Sequence, residues 1–495
     1  MRKVGWLCVL FLLVGCMQAG QDVPVAELAT LPTRVATAVS PVIPSATLPA
    51  TFTPRPTATM TFTPTPSATP TTTPSPTTTP SPTNTPTSTP TFFPYATLDG
   101  TLPTPETAVP TPVPTFAIPD NFTIIALLGN DGDNLTGQRT DSIILVAIDK
   151  NNKTATMLSL PRDLYVAVPG WQMTRINLVL PHGNVIDYPD RGKGLLRDTL
   201  LWNFGIPIDN YVRIGFAGFK QAVDALGGVD VPVTCPLRDW RLITPDLDPT
   251  VEENWEQFTL ETGVQHMDGD LALWYARSRR TTSDFERGRR QQQLVQAMFN
   301  QGLNRDLIPQ VPALWEAYRQ TVETDLGLAT VLDLAAIAPT IRENGVRHLT
   351  LPYTAFRSWK VPNSGAAVQL IQWEAAAPVF AQLLQPSALS RGGRPLTVEI
   401  IANDAAQYRL AAENLSWFGM IPIFTQAGDP APATTSISLH APNSKGTGSG
   451  LVAWLFNQHA DAITFLGDTD YPYTYTIRLG ADFNPCRPLL EAPRE

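Results

Sequence analysis

The sequence predicts an α/β protein, with a large mixed-sheet domain, a smaller α/β domain after it, and a long disordered tract in front. From residue 123 onward, short apolar runs of strand length alternate with apolar residues at helical spacing. The runs 143–148 and 154–160 flank a polar turn and predict a hairpin. By contrast, residues 30–115 consist mainly of Pro, Thr, Ser and Ala, a composition that cannot bury a core.

The N-terminus has the features of an export signal. Arg2 and Lys3 precede an apolar run over 4–14, which is too short to span a bilayer. The run ends in Leu-Val-Gly-Cys16, which resembles the bacterial lipobox and implies cleavage before Cys16 and lipidation of its thiol. Ordinary secretion with cleavage elsewhere is the alternative. We therefore predict a signal peptide at 1–15 and a chain that is lipid-anchored on the extracytoplasmic face of the bacterial cell membrane.

A disordered Pro/Thr-rich linker is predicted over 16–115. The chain contains 48 prolines, many of them in this tract. Prolines favour extended polyproline II, at roughly 3.1 Å per residue. The tract is therefore either a stalk that holds the folded part away from the membrane or a neutral spacer, and both interpretations predict disorder.

Charge and motifs exclude several functional classes. The net charge is −9, from 35 basic and 44 acidic residues, and residues 1–119 carry four of each sign. The acidic excess therefore lies in the folded part, so we expect no nucleic-acid partner bound through bulk positive charge. The sequence also lacks an HExxH motif, a CxxC pair, a P-loop and a nucleophile elbow.

The two folded domains are predicted at 116–390 and 395–486. A helix after the strand at 211–215 stops at Gly227-Gly228, which is a typical C-terminal signal. In the large domain we predict strands at 123–128, 143–148, 154–160, 211–215 and 228–232, and helices at 216–226, 290–303, 329–341 and 368–384. In the small domain we predict strands at 396–401, 421–424, 436–439 and 474–479, and helices at 405–415 and 450–457.

Charged side chains gather where the predicted strands end. Two carboxylates in such a place can hold Mg²⁺, which completes its shell with water and phosphate oxygens. Arginines supply paired donors to phosphate. Together they are suited to a diphosphate ester, although surface ion pairs of little consequence are the alternative. The residues are Asp131, Arg139, Asp141, Arg162, Asp163, Arg277, Arg279, Arg287 and Arg290.

Nine motifs over residues 122–303 resemble, in order, those of the LytR–CpsA–Psr (LCP) family of cell-envelope glycopolymer transferases. Each is weak alone, and their shared order makes the signal specific. They are Leu-Leu-Gly-Asn-Asp131, Arg-Thr-Asp141, Ser-Leu-Pro-Arg-Asp163, Arg-Ile-Asn177, Gly-Ile-Pro-Ile-Asp-Asn-Tyr211, Gly-Phe-Lys-Gln-Ala-Val-Asp-Ala-Leu-Gly-Gly228, Gln-His-Met-Asp-Gly-Asp270, Tyr-Ala-Arg-Ser-Arg279 and Asp-Phe-Glu-Arg-Gly-Arg-Arg-Gln-Gln292.

The resemblance implies an α/β/α core with a mixed sheet and an apolar cavity for a polyprenyl chain. It implies Mg²⁺-assisted transfer of a phosphate-linked glycopolymer from a polyprenyl diphosphate carrier to a cell-wall acceptor. No side chain in the set is a conventional nucleophile, so we expect the acceptor hydroxyl to attack phosphorus directly, assisted by a carboxylate. The alternatives are a polyprenyl-diphosphate pyrophosphatase, with water as the acceptor, and a non-enzymatic wall-binding lipoprotein.

By position in the matched motifs, each site residue is given a role. Asp131 and Asp141 would be the metal ligands, and they would be catalytic together with Arg162, Arg277 and Arg279. Asp163 and Asn177 would support this set. The chain departs from its relatives at Gly132-Asp133, where Ser-Arg is usual, so that Asp133 could share the metal, and at Arg175, where Lys is usual. The diphosphate-binding residues would be Arg139, Arg162, Arg277, Arg279, Arg287, Arg290 and Gln291.

The small domain resembles the LytR-type C-terminal domain attached to many of these transferases, and we expect it to have an accessory binding role. Cys235 and Cys486 would be the only thiols left after processing besides Cys16. Because free thiols are uncommon outside the cytoplasm, a disulfide between the two domains is one possibility. Two separate buried cysteines are the other.

Overall fold

The computed structural model describes residues 110–489, except 134, 136, 281, 306, 308–320, 363, 386–389 and 392–393. The predicted signal peptide, Cys16 and the linker as far as residue 109 lie outside these residues. The segment 110–115, assigned above to the linker, is already joined to the large domain. Trp202 Nε1 donates to the Pro110 carbonyl at 3.0 Å, and the Val113 amide donates to the Trp202 carbonyl at 3.0 Å.

Strands and helices alternate through the described chain. The strands are β1 (Phe122–Asn130), β2 (Thr140–Asp149), β3 (Thr154–Ser159), β4 (Tyr165–Ala167), β5 (Met173–Arg175), β6 (Asn210–Ile214), β7 (Val229–Val233), β8 (Leu237–Leu242), β9 (Trp255–Leu260), β10 (Gly263–Met267), β11 (Val322–Thr324), β12 (Val346–Thr350), β13 (Phe356–Lys360), β14 (Ala367–Ile371), β15 (Ser390–Arg391), β16 (Arg394–Pro395), β17 (Thr397–Ala402), β18 (Ile421–Gln426), β19 (Ser436–Leu439), β20 (Thr464–Phe465) and β21 (Tyr475–Arg478). The helices are α1 (Val179–Val185), α2 (Arg191–Phe204), α3 (Phe216–Ala225), α4 (Gly269–Arg277), α5 (Asp284–Asn304), α6 (Leu328–Asn344), α7 (Trp373–Leu383), α8 (Ala405–Trp417) and α9 (Ser449–Leu455).

A six-stranded mixed sheet forms the centre of the large domain, in the order β11-β6-β1-β2-β3-β12. The β1–β2 and β2–β3 pairs are antiparallel, whereas β6 and β12 each run parallel to their neighbours β1 and β3. The predicted hairpin is therefore present as β2 and β3. The α/β prediction with a mixed sheet is confirmed.

Both faces of the central sheet are covered, which makes the α/β/α arrangement. Successive side chains of a strand point to opposite faces. Ile125 and Ile144 accordingly pack in one apolar cluster with residues of α3, α4, α5 and α6. Ile124 and Ile143 pack in the other cluster, with residues of α1, α2 and α7.

One predicted helix begins later than expected. The segment 368–384 was predicted to be helical throughout, but its first four residues belong to β14, which pairs with β13, and α7 begins only at Trp373. Val368 is buried against Tyr165 and Val361 in a small separate cluster. Pairing with a neighbouring strand thus overrides the local helical pattern.

The C-terminal residues build a second sheet with its own core. The order is β18-β17-β21-β19-β20, and α8 and α9 supply apolar residues to one core cluster. The helix at 405–415 and the strands at 396–401, 421–424, 436–439 and 474–479 all have counterparts in this unit. A disulfide joins Cys235, after β7, to Cys486 at the C-terminal end of this unit.

Across the described part of the chain, no helix is long and apolar enough to span a bilayer.

Candidate active site

Three strand ends of the central sheet meet at one edge and carry predicted site residues. Asn130, the last residue of β1, pairs with Thr140 at the start of β2. Ile144 near the start of β2 pairs with Ser159, the last residue of β3. Strand register is fixed wherever one face of a strand must be buried. In this register, the residues that follow β1 and β3 lie next to the first residues of β2.

A cleft opens at this edge, beside the N-terminal half of α5. Ser142 Oγ donates to Gln291 Oε1 at 2.9 Å, and Ser159 Oγ donates to the Gly288 carbonyl at 3.3 Å, so that α5 is tied to both strands. The cleft is lined by Asp141, Ser159, Leu160, Pro161, Arg162, Asp284, Phe285, Arg287, Gly288, Gln291, Thr350 and Leu351.

A chain of ion pairs runs from Asp141 on β2 through Arg162 and Asp163, which follow β3, to Arg175 at the end of β5. Arg162 is paired with Asp141 and lies 3.5 Å from Asp163, which is itself 3.3 Å from Arg175. Asn177 Nδ2 donates to Asp141 Oδ1 at 3.3 Å. Burial lowers the pKa of Arg162, but Asp141 and Asp163 outweigh it and raise the pKa above its ordinary value. The structure thus brings Asp163 and Asn177 to the predicted supporting positions.

Helix α5 presents Arg287 and Gln291 to the cleft from a capped N-terminus. Ser283 caps the helix by accepting from the Glu286 amide at 3.2 Å. Arg287 is 7% exposed and pairs with Asp284 at 3.2 Å. The Ser283-Asp-Phe-Glu286 sequence is a capping-box pattern, which would have placed the helix start correctly.

The arginines from different elements act on one another electrostatically. Burial lowers the pKa of Arg287, and the like charges of Arg162 and Arg279 lower it further against the attraction of Asp284 and Asp141. Burial also lowers the pKa of Arg277, which feels Arg279 as well as Asp141 and Asp131. Such mutual influence requires these groups to lie near one another. The site therefore combines the positive charges of four arginines with the carboxylates of Asp131, Asp141 and Asp284.

The turn after α4 is held in place through its backbone amides. The side chains of this turn are not needed for that attachment. The amides of Arg279 and Arg280 donate to Asp239 Oδ2 at 2.8 and 3.1 Å. The Arg277 guanidinium lies over the Phe216 ring, with Cζ 4.3 Å from the ring centroid. Both side chains remain accessible to solvent, although neighbouring groups pack closely enough around the Arg277 guanidinium to desolvate it in part. They are accordingly accessible to a ligand.

The loop between β1 and β2 carries Asp131 and Arg139. Both are exposed, and the Asp131 amide donates to the Arg139 carbonyl at 3.1 Å.

Arg213 on β6, which was not among the residues predicted from the sequence, holds this loop in place. Its guanidinium is fully buried and donates to Asn130 Oδ1 at 2.7 Å, to the Gln138 carbonyl at 2.8 Å and to the Leu135 carbonyl. The sequence feature that could have indicated the role of Arg213 is its position as a charged residue inside a predicted strand.

Asp133 has a different position from the one expected. Its Oδ1 accepts from the Ala217 amide at 2.6 Å, so that it caps the N-terminus of α3 from another part of the chain. Gly215 permits this approach, because a Cβ there would lie 2.8 Å from the Gly132 carbonyl oxygen. This geometry favours a structural role for Asp133 over a share of the metal.

Arg290 is likewise turned away from the cleft. It is 3% exposed, and its Nε donates to the Tyr275 carbonyl at 3.0 Å. Its other nitrogens donate to the Ser278 carbonyl and to Thr282 Oγ1. With all three nitrogens so engaged, Arg290 fits the positioning of the 278–282 turn, rather than the predicted contact with diphosphate.

The donor set fits Mg²⁺ in part. Asp131 and Asp141, the two predicted metal ligands, both influence the charge of Arg277. Within the described ranges, no three His, Cys or acidic side chains gather as a complete cation cage. Two carboxylates without a third suit a metal that draws its remaining ligands from water and phosphate oxygens.

Residues 105–383 match the family model described as the LytR_cpsA_psr family, and the chain belongs to that family. The resemblance seen in the motifs is thereby confirmed. Among curated relatives, the polyisoprenyl-teichoic acid–peptidoglycan teichoic acid transferase TagV of Bacillus subtilis is 32% identical over 204 residues, 40% of this chain and 48% of the relative. The transferase of the same description, TagU, of Oceanobacillus iheyensis is 32% identical over 208 residues, 41% of this chain and 59% of the relative.

A regulatory protein of Staphylococcus aureus, MsrR, is 29% identical over 248 residues, 50% of this chain and 69% of that protein. Among solved structures, B. subtilis TagV aligns with a TM-score of 0.43 and 25% identity, covering 54% of this chain and 97% of that one. The matched segment thus spans about half the length of the first curated relative.

Proposed function

We propose that this protein transfers a phosphate-linked glycopolymer from a polyprenyl diphosphate carrier to a cell-wall acceptor, peptidoglycan or an equivalent glycan. The observation that carries the proposal is the cleft where Arg162 and Arg287 lie beside Asp141, within electrostatic reach of Arg277 and Arg279. Such a density of guanidinium groups is suited to the charge of a diphosphate. The names of the relatives TagV and TagU, both teichoic acid transferases acting on peptidoglycan, support this donor and acceptor.

In the proposed reaction, an acceptor hydroxyl oxygen attacks the phosphorus that carries the glycan. A P–O bond to the acceptor forms, the bond from that phosphorus to the bridging oxygen breaks, and polyprenyl monophosphate leaves. The hydroxyl proton passes to an oxygen of Asp131 or Asp141 that does not bind the metal. Because negative charge grows on the leaving phosphate, guanidinium groups aimed at it lower the energy of the transition state more than that of the bound substrate.

Asp131 and Asp141 would hold Mg²⁺ in this site, with phosphate oxygens of the donor completing its shell. Bound there, the ion would neutralise charge on the diphosphate. Asp141 would be held in place for this role by Arg162 and Asn177. Arg139, exposed on the same loop as Asp131, would add a further contact to the phosphates.

Two apolar neighbours of the cleft suit the other parts of the substrates. Tyr353 is 49% exposed, and its ring makes a T-shaped, edge-to-face contact with Phe285 of the cleft, with ring centroids 4.8 Å apart. An exposed ring of this kind can pack against the apolar face of a sugar. The second is Phe216, whose ring lies under Arg277 and offers an apolar surface to the polyprenyl chain of the donor.

Lipid attachment at Cys16 is part of the same proposal, because the donor carries its own polyprenyl chain and resides in a membrane. An anchored enzyme with a long linker would meet both the membrane-bound donor and the wall. Globomycin treatment, which blocks cleavage of lipidated precursors, should leave the chain at its full-length mass. A Cys16→Ser chain that still takes up labelled fatty acid would contradict the assignment.

Product analysis tests the proposed reaction. The full chain in detergent is incubated with polyprenyl diphosphate glycan carrying ³²P at the phosphate next to the sugar, with and without peptidoglycan. Transfer puts the label on peptidoglycan and releases unlabelled polyprenyl monophosphate. Label that appears as glycan phosphate at equal rates with and without peptidoglycan would indicate a pyrophosphatase, and no turnover with tight glycan binding would indicate a wall-binding protein.

A further inference from the structure

The C-terminal domain packs against the large domain next to helix α5. Helix α8 packs against β7, β10 and β12 of the large domain, while its apolar face belongs to the C-terminal core. Trp417, the last residue of α8, is 3% exposed and stacks on His348 of β12, with ring centroids 4.7 Å apart at 16°. The same tryptophan lies 5.8 Å from the Arg289 Cζ of α5.

Arg289 connects α5 to this domain electrostatically. It is 7% exposed, and its Nε donates to Glu286 at 3.0 Å. Burial lowers the pKa of Arg289, but the carboxylates of Glu286 and of Glu413 on α8 outweigh burial and hold the pKa above its ordinary value. Arg289 is two residues from both Arg287 and Gln291, so the face it anchors lies behind the face that lines the cleft.

A series of contacts leads from Trp417 to the cleft. His348 Nδ1 lies 3.0 Å from Gln292 Oε1, and Gln292 Nε2 donates to Ser159 Oγ at 2.8 Å. Ser159 Oγ in turn donates to the Gly288 carbonyl at 3.3 Å, and both of these residues line the cleft. Each member is buried or half-buried, so the hydrogen bonds of the series are shielded from solvent.

Two further ties hold the C-terminal domain in place. Arg409 of α8 pairs with Asp230 of β7 at 3.3 Å and also donates to the Asp230 carbonyl at 3.1 Å. The disulfide between Cys235 and Cys486 joins the end of the C-terminal domain to the segment just after β7. A domain attached at three places, two of them on α8, is held more firmly than a tethered binding module requires.

We propose that the C-terminal domain is a fixed part of the transfer site, with Trp417 as a positioning residue that holds α5 so that Arg287 and Gln291 face the cleft. Only the expected effect on rate rests on the proposed transfer reaction. The packing of α5 can be measured without turnover. A small displacement of groups that act in a transition state costs rate, with less effect on substrate binding.

The experiment compares three variants of the full chain. Trp417→Ala removes the ring, Trp417→Phe keeps an aromatic face, and Trp454→Ala is the control. Trp454 lies on α9 of the same domain, with Arg487 Cζ 4.5 Å from its ring centroid, so it too is a tryptophan with an arginine partner, and it packs against the core of the C-terminal domain. Should Trp417→Ala not fold, Trp417→Leu takes its place.

We expect Trp417→Ala to lower kcat about tenfold or more, with the donor KM within about threefold. Trp417→Phe should recover most of the loss, and Trp454→Ala should stay within about threefold of the parent. Equal losses in Trp417→Ala and Trp454→Ala would overturn the inference, since they would reflect domain stability alone.

Hydrogen exchange of the amides over 285–292 gives a readout that does not need activity. Exchange there should accelerate in Trp417→Ala and stay unchanged in Trp454→Ala. If the parent chain proves inactive, the proposed reaction fails and this measurement alone decides on the inference. Unchanged exchange in Trp417→Ala would overturn it, whether or not the parent is active.

Discussion

Arg162 and Asp141 form an ion pair between the residues after β3 and the start of β2, at the edge where the cleft opens. The pair holds a guanidinium and a carboxylate in place before any ligand arrives. Asn177 holds the second oxygen of Asp141. The side chains proposed to contact the diphosphate and the metal therefore already hold one another in place. Substitution of each one should have a different and measurable effect.

Asp141→Asn should weaken Mg²⁺ binding and lower the rate of transfer. The amide keeps the size of the side chain but removes the anionic ligand that a hard cation prefers. We expect the Mg²⁺ concentration for half-maximal activity to rise at least tenfold, measured in initial rates at saturating donor. Asn177→Ala, which removes only a support, should show a smaller rise. An unchanged Mg²⁺ response in Asp141→Asn would exclude the proposed metal role.

Asp133→Ala should lower stability without changing the metal response. The side chain caps α3 through the Ala217 amide, and loss of such a cap costs about 1 kcal/mol. Asp133→Asn, which can still accept that hydrogen bond, should retain most of the stability in urea titrations. A variant with normal stability and weaker Mg²⁺ activation would instead return Asp133 to the metal site.

Arg290→Ala should lower both stability and transfer, whereas Arg279→Ala should lower transfer alone. Arg290 is buried against the carbonyls that shape the 278–282 turn, and burial lowers its pKa to about 10. Removing it leaves buried carbonyls without their donor, at a cost of about 1–3 kcal/mol. Melting temperatures and initial rates of both variants test the contrast. A fully stable Arg290→Ala protein would contradict the positioning role.

Glu413→Gln should raise the melting temperature at alkaline pH. Burial raises the pKa of Glu413 to about 7, against the opposing effects of Arg289, Gln293 and Arg409. Because the folded pKa is above the unfolded one, the folded protein gains stability as pH falls below about 7 and loses it as the carboxylate ionises. Gln cannot ionise, so the variant should exceed the parent at pH 8.5, and the difference should shrink towards pH 5. A constant difference over this range would contradict the account.

The strands around the site were predictable because each contains a mostly apolar run of strand length. The hairpin of β2 and β3 also brought Asp141 and Arg162 together as expected, since antiparallel register follows from a short polar turn. Helix α5 was predicted from residue 290, because its first turns are polar, yet it begins at Asp284. The apolar face gave no signal there, although the Ser283 cap did.

Residues that act through tertiary contacts were the ones that sequence reasoning missed or misassigned. Arg213 supports the Asp131 loop from inside β6, and Asp133 caps a helix that begins 83 positions after it in the chain. Arg290 belongs to the same motif as Arg287 and Gln291, but its side chain points away from the cleft. None of these roles has a local pattern, because each depends on which distant backbone groups remain to be satisfied.

The most direct test of the central claim is the rate of label transfer to peptidoglycan by Arg277→Ala and Arg279→Ala chains with melting curves matched to the parent. Loss of one preorganised donor should lower kcat about a hundredfold in each. Arg162→Lys, which keeps charge but loses the paired donors, should also remain clearly impaired. Arg238→Ala, an exposed arginine on β8 outside the cleft, should stay within a few-fold. Parental rates in both Arg277→Ala and Arg279→Ala would contradict the account, because the chemistry would then lie elsewhere.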